Sequence, residues 1–420
     1  MSPANRRIWC CVTLAVGVLL AGGTIACAAI ERPNALDRRV DVLTPSQLMT
    51  EPAIRLVDPG RQAAATRRVH WTVLGWVFIA VFEATALFYL WSSGAAAALR
   101  DWLRRRVSSQ WQVRFLFGAA LALVARLAAL IPSFYLFRVD RVLQVTTDLT
   151  RIWALFWIFH TLVGMIVAGL IAAVVLWLAE RTHQWYAYAI VAILAASVGW
   201  AYASPYVRAA TRATSPVGGD VGEQLRAMLV RAGLSPLPVL ASTGNAFSDD
   251  VAVLGVGPLR RIVLSHNLIV GGTEPEIEYR IAYEIGRISH GAVLSVALIE
   301  GGVIIIFAAI AIVIADRVRF RRDDDPLSRL AIVGALLALV YLAAVPVRNA
   351  ALRSYDFDSD RYAVTLTGNP SAAVRALVRA SDQRMEEVCP EAAASLFLYA
   401  APGIGERVAA INHVPSTCSH

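Results

Sequence analysis

The chain has 420 residues, of which 57% are hydrophobic, and its mean hydropathy of +0.56 excludes an ordinary soluble protein of this size. The formal net charge is +8, and all 39 basic residues are arginines. These arginines are concentrated in short loops between apolar segments. That distribution is typical of a polypeptide oriented in a membrane, and it argues against nucleic-acid binding.

Several apolar segments approach or exceed the roughly 20 residues that a helix needs to cross a bilayer. We predict spans over 8–30, 70–92, 113–137, 152–179, 185–203, 292–315 and 327–346. Tryptophan and tyrosine lie at several ends, as interfacial anchors do: Trp71, Trp91, Trp185, Tyr186, Trp200 and Tyr202. The first span follows Arg6 and Arg7, and we interpret it as an uncleaved helix rather than a cleavable signal sequence. The sequence therefore predicts an integral, multi-pass membrane protein of bacterial type.

Ionisable residues also occur inside the predicted spans: Glu83, Arg126, His160 and Glu300. Charge is costly in hydrocarbon, so such groups usually face a bundle interior, a partner or water. Two interpretations remain open. The residues either pair between helices, as Glu83 with Arg126, or face water.

Outside the spans, the segment 31–69 is polar and proline-rich and is expected to be an extramembrane loop. From Val217 onward the sequence predicts an amphipathic helix over 222–233 and short strands over 237–241, 251–255 and 261–265. A helix capped by Thr273 follows, and later helices are predicted over 347–366, 371–387 and 404–412. The predicted order is thus a first helix (1–30), a loop (31–69), spans two to five (70–203), a first domain part (204–291), spans six and seven (292–346) and a C-terminal domain part (347–420).

The helix after Thr273 contains the stretch Glu278–His290, EYRIAYEIGRISH. It has the outline of the zinc-protease motif H-E-x-x-H, in which two histidines one turn apart bind Zn²⁺ and the glutamate activates water. Here the five positions read Tyr-Glu-Ile-Gly-Arg, from Tyr283 to Arg287. The glutamate, Glu284, is present and both histidines are replaced.

Three further segments accompany this stretch: Asn245-Ala246-Phe247 with the strand 261–265, Arg353–Ala363 with its pair Asp360-Arg361, and Ala401-Pro402 with Arg407-Val408. In this order and spacing they resemble the membrane gluzincin metallopeptidases of the CAAX prenyl endopeptidase and HtpX type, over roughly residues 70–412. The resemblance implies a mainly α, polytopic membrane protein with about seven transmembrane helices. A small α+β zincin-like domain would form between the fifth and sixth spans and the C-terminal region.

The resemblance also assigns roles to individual residues. Glu284 becomes a vestigial general base, and the zinc-ligand positions are Tyr283, Arg287 and Asp356. The remaining assignments are a peptide-binding strand edge at Asn245 and Ala246, a contact behind the site at Asp360 and Arg361, and the position of the family's oxyanion-stabilising histidine at Ala401.

The residues at these positions are poor zinc ligands. Arginine stays protonated, tyrosine ligates rarely, and Ala401 has nothing to donate. We therefore predict no cofactor. We expect Arg287, one turn after Glu284, to replace the charge of the metal by pairing with Glu284 and Asp356.

The sequence thus predicts a degenerate, zinc-less pseudo-peptidase that binds a polypeptide or membrane-protein partner at the lipid bilayer. One alternative is an active metalloendopeptidase with non-standard zinc ligands, for which His266 and His290 are candidates. Another is a transporter-like or assembly role that uses Glu83, Arg126 and Glu300.

Two questions stay open at this point. The resemblance implies a cytosolic catalytic domain, whereas the arginine-rich loops, if cytoplasmic, place that domain outside. Among five cysteines, Cys389 and Cys418 either pair in an oxidising compartment or remain free thiols.

Overall fold

The computed structural model describes residues 39–146, 148–210, 214–233, 237–242, 251–254, 260–318 and 325–418. The predicted first span, 8–30, lies outside these ranges, as do Asn245 and Ala246. The described residues divide into two compact units. The helical unit lies within Ala63–Trp185 and Ile310–Leu342, and the mixed unit within Leu36–Gln62, Tyr186–Ala309 and Ala343–His420.

The described helices and strands follow one another in this order: α1 (Arg39–Val42), α2 (Pro45–Thr50), a 3-10 turn (Ala53–Arg55), α3 (Pro59–Ser92), α4 (Ala95–Arg106), α5 (Gln110–Ala128), α6 (Leu130–Val142), α7 (Thr150–Arg181), α8 (Trp185–Ala210), β1 (Thr214–Pro216), α9 (Gly219–Arg231), β2 (Val239–Ser242), β3 (Val251–Leu254), β4 (Arg261–Leu264), α10 (His266–Gly271), α11 (Glu274–Ser289), α12 (Ala292–Arg317), α13 (Pro326–Thr367), α14 (Pro370–Arg384), α15 (Ala392–Leu398) and α16 (Ile404–Ile411).

Six helices in the described ranges are long and apolar enough to cross a membrane: α3, α5, α7, α8, α12 and α13. They coincide with the six predicted spans between 70 and 346. Large apolar side chains such as Leu155 and Phe159 are 64% and 60% exposed, as expected for residues that face lipid. The prediction of a multi-pass membrane protein is confirmed.

The predicted span over 113–137 is wrong as a single helix. The chain forms α5 and α6 there, with Ala129 between them. Pro132 explains the break, because proline has no N–H to donate to the carbonyl of Ala128, four residues earlier. Helix α3 is longer than predicted. It begins at Pro59 rather than at residue 70, since proline is favoured in a first helical turn.

The mixed unit contains a four-stranded sheet in the order β1-β2-β4-β3. β2 and β4 are parallel, with Val239 opposite Ile262, while β1 and β3 pair antiparallel to their neighbours. The three predicted strands are confirmed within about two residues. β1 was not predicted, because its three residues are all exposed and show no apolar alternation.

Helix α11 begins as predicted. Thr273 and Glu276 form a capping box, and a proline lies in the first turn. The helices predicted over 347–366, 371–387 and 404–412 are also confirmed, as the end of α13, α14 and α16. α14 stops three residues early, where Met385 takes a left-handed conformation with φ of 51°.

The interpretation of 31–69 as a plain loop is corrected. Its described part contains α1, α2, the 3-10 turn and the start of α3, and its apolar side chains enter the core of the mixed unit: Val40, Leu48, Ala53, Leu56 and Val57. Arg61 adds a buried ion pair with Asp382 on α14. The sequence did not predict this role, because the apolar side chains of the segment lie among prolines and polar residues and pack against residues far away in the chain.

Leu48→Ala tests this packing. Leu48 is fully buried, so the cavity left behind should lower the free energy of unfolding by about 2–5 kcal/mol. Val42→Ala, at a side chain that is 82% exposed, is the matched control and should change it by less than about 0.5 kcal/mol. Thermal unfolding of the detergent-solubilised protein measures both. Equal effects of the two changes would argue against a core role for the segment.

Candidate functional site

Helix α11 places its residues on two faces. Tyr279 and Tyr283, one turn apart, point into the core and are 0% and 9% exposed. Glu284 and Arg287 point towards a cavity, where their side chains are 18% and 39% exposed. The helix thus carries an aromatic pair on one side and a charged pair on the other.

A buried polar cluster lies beneath the aromatic face. Asp360, on α13, accepts a hydrogen bond from the Tyr279 hydroxyl at 2.6 Å. Arg407, on α16, donates to both oxygens of the same carboxylate, at 2.8 and 2.7 Å. Burial opposes the charge of Arg407, but Asp360 raises the pKa of the guanidinium well above its usual range. The cluster therefore holds a permanent ion pair that joins three helices.

Tyr283 connects this cluster to the predicted ligand positions. Its hydroxyl donates a hydrogen bond to Asp356 Oδ1, and the guanidinium of Arg407 lies 5.0 Å from the centre of its ring. Burial raises the pKa of the Tyr283 hydroxyl, and the charge of Asp356 raises it further, although Arg407 lowers it. Tyr283 therefore stays protonated and acts as a donor.

Arg287 pairs with Glu284, as predicted. Its Nη1 lies 3.3 Å from Oε1 and 3.5 Å from Oε2 of the glutamate, and the Glu284 carboxylate raises the pKa of Arg287. The expected direct pairing of Arg287 with Asp356 is replaced by the hydrogen bond from Tyr283. The long tyrosine side chain reaches this carboxylate across the gap between the helices.

The neighbouring residues Asp360 and Arg361 have different surroundings. Asp360 lies behind the site, as expected, but Arg361 does not: its side chain is 80% exposed, and its nearest acidic partner is Asp358 at 3.9 Å. Sequence reasoning missed Arg407 as the partner of Asp360. The available signal was the arginine six residues after Ala401, in the last of the family-like segments.

Gly286 sets the distance between α11 and α13. A Cβ atom at this position would lie 3.1 Å from the Tyr362 ring and 3.2 Å from the Cα and carbonyl oxygen of Ser359. A larger residue would push the helices apart. The absence of a side chain here brings Tyr283 within reach of Asp356.

The charged face of α11 opens into a cavity of about 740 Å³. Ala401 lies in its wall, at the position where the resemblance places a lost oxyanion donor. Glu300, also in the wall, is paired by Arg348. Other lining residues come from β3 and from the ends of α8 and α12: Val251, Val253, Trp200, Tyr202, Leu294 and Val296.

The other intramembrane polar residues lie elsewhere. Glu83 and Arg126 belong to the helical unit. His160 is exposed on α7, and its Nδ1 lies 2.6 Å from the carbonyl oxygen of Phe156. These three residues are not in the wall of the cavity.

Among the described side chains, His290 does not complete a metal site. His290 ends α11, with its Nδ1 2.7 Å from the Gly286 carbonyl oxygen and its ring edge-on to Tyr362. His266 begins α10, and its side chain lies outside the described part of the chain. Across the described ranges, no three histidine, cysteine, aspartate or glutamate side chains are grouped so that they could hold a metal ion.

The donor set at the ligand positions does not fit Zn²⁺. Zinc needs three lone pairs from the protein, whereas Tyr283 and Arg287 present protons and Asp356 already accepts one of them. Tyr283 and Arg287 can therefore hold hydrogen-bond acceptors and negative charge. A set of zinc ligands does the opposite, because it presents lone pairs to a cation.

A disulfide joins Cys389 and Cys418. Gly405, in the first turn of α16, packs against both sulfur atoms, and a Cβ atom there would lie 3.1 Å from Cys389 Sγ. The disulfide therefore fixes the start of the helix that supplies Arg407 to the site.

Comparisons with known proteins agree with this description. Residues 217–414 match the family model described as Peptidase family M48. Protease HtpX homolog 1 of Streptomyces coelicolor is 32% identical over 149 residues, which are 34% of this chain and 44% of that protein. The uncharacterized metalloprotease YhfN of Bacillus subtilis is 22% identical over 350 residues, which are 76% of this chain and 78% of that protein.

The crystal structure of S. mikatae Ste24p has the same fold. The alignment has a TM-score of 0.68 at 14% sequence identity, and it covers 94% of this chain and 98% of the Ste24p chain. The fold is thus that of Ste24p. The segment 217–414 matches peptidase family M48, and the resemblance and the mainly helical fold class predicted from the motifs are confirmed. The match covers less than half of the Streptomyces relative.

Arg407→Ala tests the buried ion pair. Removing the guanidinium leaves Asp360 buried without its partner, so the free energy of unfolding should fall by about 3–5 kcal/mol. Arg361→Ala removes the same side-chain type from an exposed position and should cost less than about 0.5 kcal/mol. Unfolding curves in one detergent compare the two. A similar small effect of both changes would contradict the structural role of the pair.

Proposed function

We propose that this membrane protein of family M48 is a zinc-less pseudo-peptidase that binds a polypeptide segment. The observation that carries the proposal is the proton-donating set at the ligand positions: Tyr283 donates to Asp356, and Arg287 pairs with Glu284. A glutamate engaged by an arginine is a poor general base, and its charge is satisfied without a metal. The same contacts oppose entry of a cation, because they already fill the centre of the site with positive charge.

A strand at the edge of the described sheet supports polypeptide binding. Among the described strands, β3 is at the edge of the sheet, and Val251 and Val253 line the cavity. The N–H of Ile262, on β4, donates to the carbonyl oxygen of Pro238, beside β2. The backbone N–H and C=O of Ile262 therefore point away from β3. Val253, on β3, lies opposite Ile262 in an antiparallel pair. Because this pair is not hydrogen-bonded, the backbone groups of Val253 point away from β4, towards the free edge of the sheet. Such an edge pairs with an extended segment by strand addition.

Two membrane-capable helices contribute aromatic and apolar side chains to the wall of the cavity at their ends. Trp200 and Tyr202 come from α8, and Leu294 and Val296 from α12. A segment held against β3 would therefore meet apolar side chains as well as the arginine of α11. These features support a polypeptide or membrane-protein partner that reaches the site at the bilayer.

Metal content separates this proposal from the alternative of an active metalloendopeptidase with non-standard ligands. We expect the full chain, purified in detergent after expression with added zinc, to contain less than about 0.1 zinc ion per chain by elemental mass spectrometry, because the donor set lacks three free lone pairs. Near-stoichiometric zinc that a chelator removes would overturn the pseudo-peptidase proposal.

A matched control shows that the assay detects zinc on this scaffold. Tyr283→His, Arg287→His and Asp356→Glu together supply two histidines one turn apart and a glutamate, a usual zinc set. The triple variant is expected to gain zinc where the parent chain has none.

Polypeptide binding is tested with a permanently unfolded probe, fluorescently labelled and carboxymethylated α-lactalbumin, by anisotropy in lipid nanodiscs. Val253→Pro removes one outward-facing N–H and should weaken binding about five- to tenfold, with little change in thermal stability. Ala252→Pro is the contrasting variant, because the N–H of Ala252 faces β4, and its loss should lower stability. No binding by the parent chain, or no effect of Val253→Pro on binding, would refute strand addition at β3.

A further inference from the structure

Arginine-rich segments meet at one end of several membrane-capable helices. Asp325, at the start of α13, lies 3.4 Å from Arg100 and 2.9 Å from Arg104, both on α4. Arg114, near the start of α5, pairs with Glu180 at the end of α7. The connections 93–109, 182–184 and 318–325 are therefore at one membrane face, which we call the arginine face.

The two faces differ in their number of arginines. The described residues at the arginine face include eight arginines: Arg100, Arg104, Arg105, Arg106, Arg114, Arg181, Arg317 and Arg329. The sequence adds Arg319, Arg321 and Arg322 in the same connection. The short connection at the other end of α6 and α7 has three: Arg138, Arg141 and Arg151. Short loops rich in arginine remain in the cytoplasm, so this asymmetry makes the arginine face cytoplasmic.

The seven arginines of 31–69 do not oppose this assignment. The rule counts short loops, because long loops and folded domains cross the membrane largely regardless of charge. The described part of 31–69 is folded into the core of the mixed unit through residues such as Leu48 and Leu56. It is thus part of a domain rather than a short loop.

The disulfide gives independent evidence on the other face. Cys389 and Cys418 lie in the chain after α13, whose first residues are at the arginine face. A helix that spans the bilayer places its ends on opposite sides, so the disulfide is at the face away from the arginines. Disulfides persist in oxidising compartments and are rare in the cytosol.

We infer that the extramembrane segments 214–291 and 368–418, which carry α11, β3 and Arg407, face the extracytoplasmic side. This is opposite to the cytosolic placement that the family resemblance implies. Provided that the proposed function holds, the bound polypeptide is then an extracytoplasmic one, such as a segment that has crossed the membrane or the outer part of another membrane protein.

Cysteine labelling of the full chain tests the orientation. Ser215→Cys, on β1, and Ser108→Cys, before α5, are both at exposed positions. In the inferred orientation, residue 215 is extracytoplasmic and residue 108 is cytoplasmic. Each is made in a background with Cys10, Cys11 and Cys27 changed to serine, while Cys389 and Cys418 remain. In intact spheroplasts, a membrane-impermeant maleimide should label the residue-215 variant at least tenfold more than the residue-108 variant. After permeabilisation the two should label equally.

The reverse pattern, with labelling at 108 and protection at 215, would overturn the inference. The disulfide is tested separately by alkylating the protein in intact cells: we expect Cys389 and Cys418 to react only after reduction, and two free thiols would remove that support and contradict an oxidising environment. Failure of the inference is distinguishable from failure of the proposed function. A reversed orientation with intact Val253-dependent binding would leave a pseudo-peptidase whose partner is cytosolic.

Discussion

The ion pair between Asp360 and Arg407 is the contact on which the architecture of the site depends. Both side chains are almost fully buried, and Tyr279 supplies a further hydrogen bond to the carboxylate. A buried charge is tolerated only where an opposite charge and hydrogen bonds replace water, so α11, α13 and α16 must stay together for this cluster to exist. The cluster in turn holds Arg407 over the ring of Tyr283 and so fixes the residue that contacts Asp356.

For the proposed function, this arrangement explains how a fold of the Ste24p type can be complete without an ion. In a zinc centre, several acceptors converge and the cation satisfies them. Here the carboxylates of Asp356, Asp360 and Glu284 are satisfied by two hydroxyl and two guanidinium groups. Each of these contacts is made by the chain itself. In the proposed function, the adjoining cavity and strand edge are the place where an extended chain lies.

Local patterns in the sequence predicted local structure well. The capping box at Thr273, the short apolar strands and the apolar spans each depend on neighbours within a few residues. Contacts between distant residues were harder: Tyr283 and Asp356 are 73 residues apart, and Asp360 and Arg407 are 47 apart. Arg361 was misassigned because consecutive helical residues point about 100° apart, so a neighbour of a buried aspartate lies outside. The core role of 39–57 could not be predicted from a single sequence, because its apolar residues pack against side chains far away in the chain.

The close approach at Gly286 has a consequence for how this site can change over time. The spacing of α11 and α13 is set by backbone and ring contacts with Ser359 and Tyr362, and not by an ion that bridges them. Substitutions at the ligand positions therefore alter chemistry while the frame that presents them stays in register. If the proposed function holds, a few side chains separate this site from one that binds zinc.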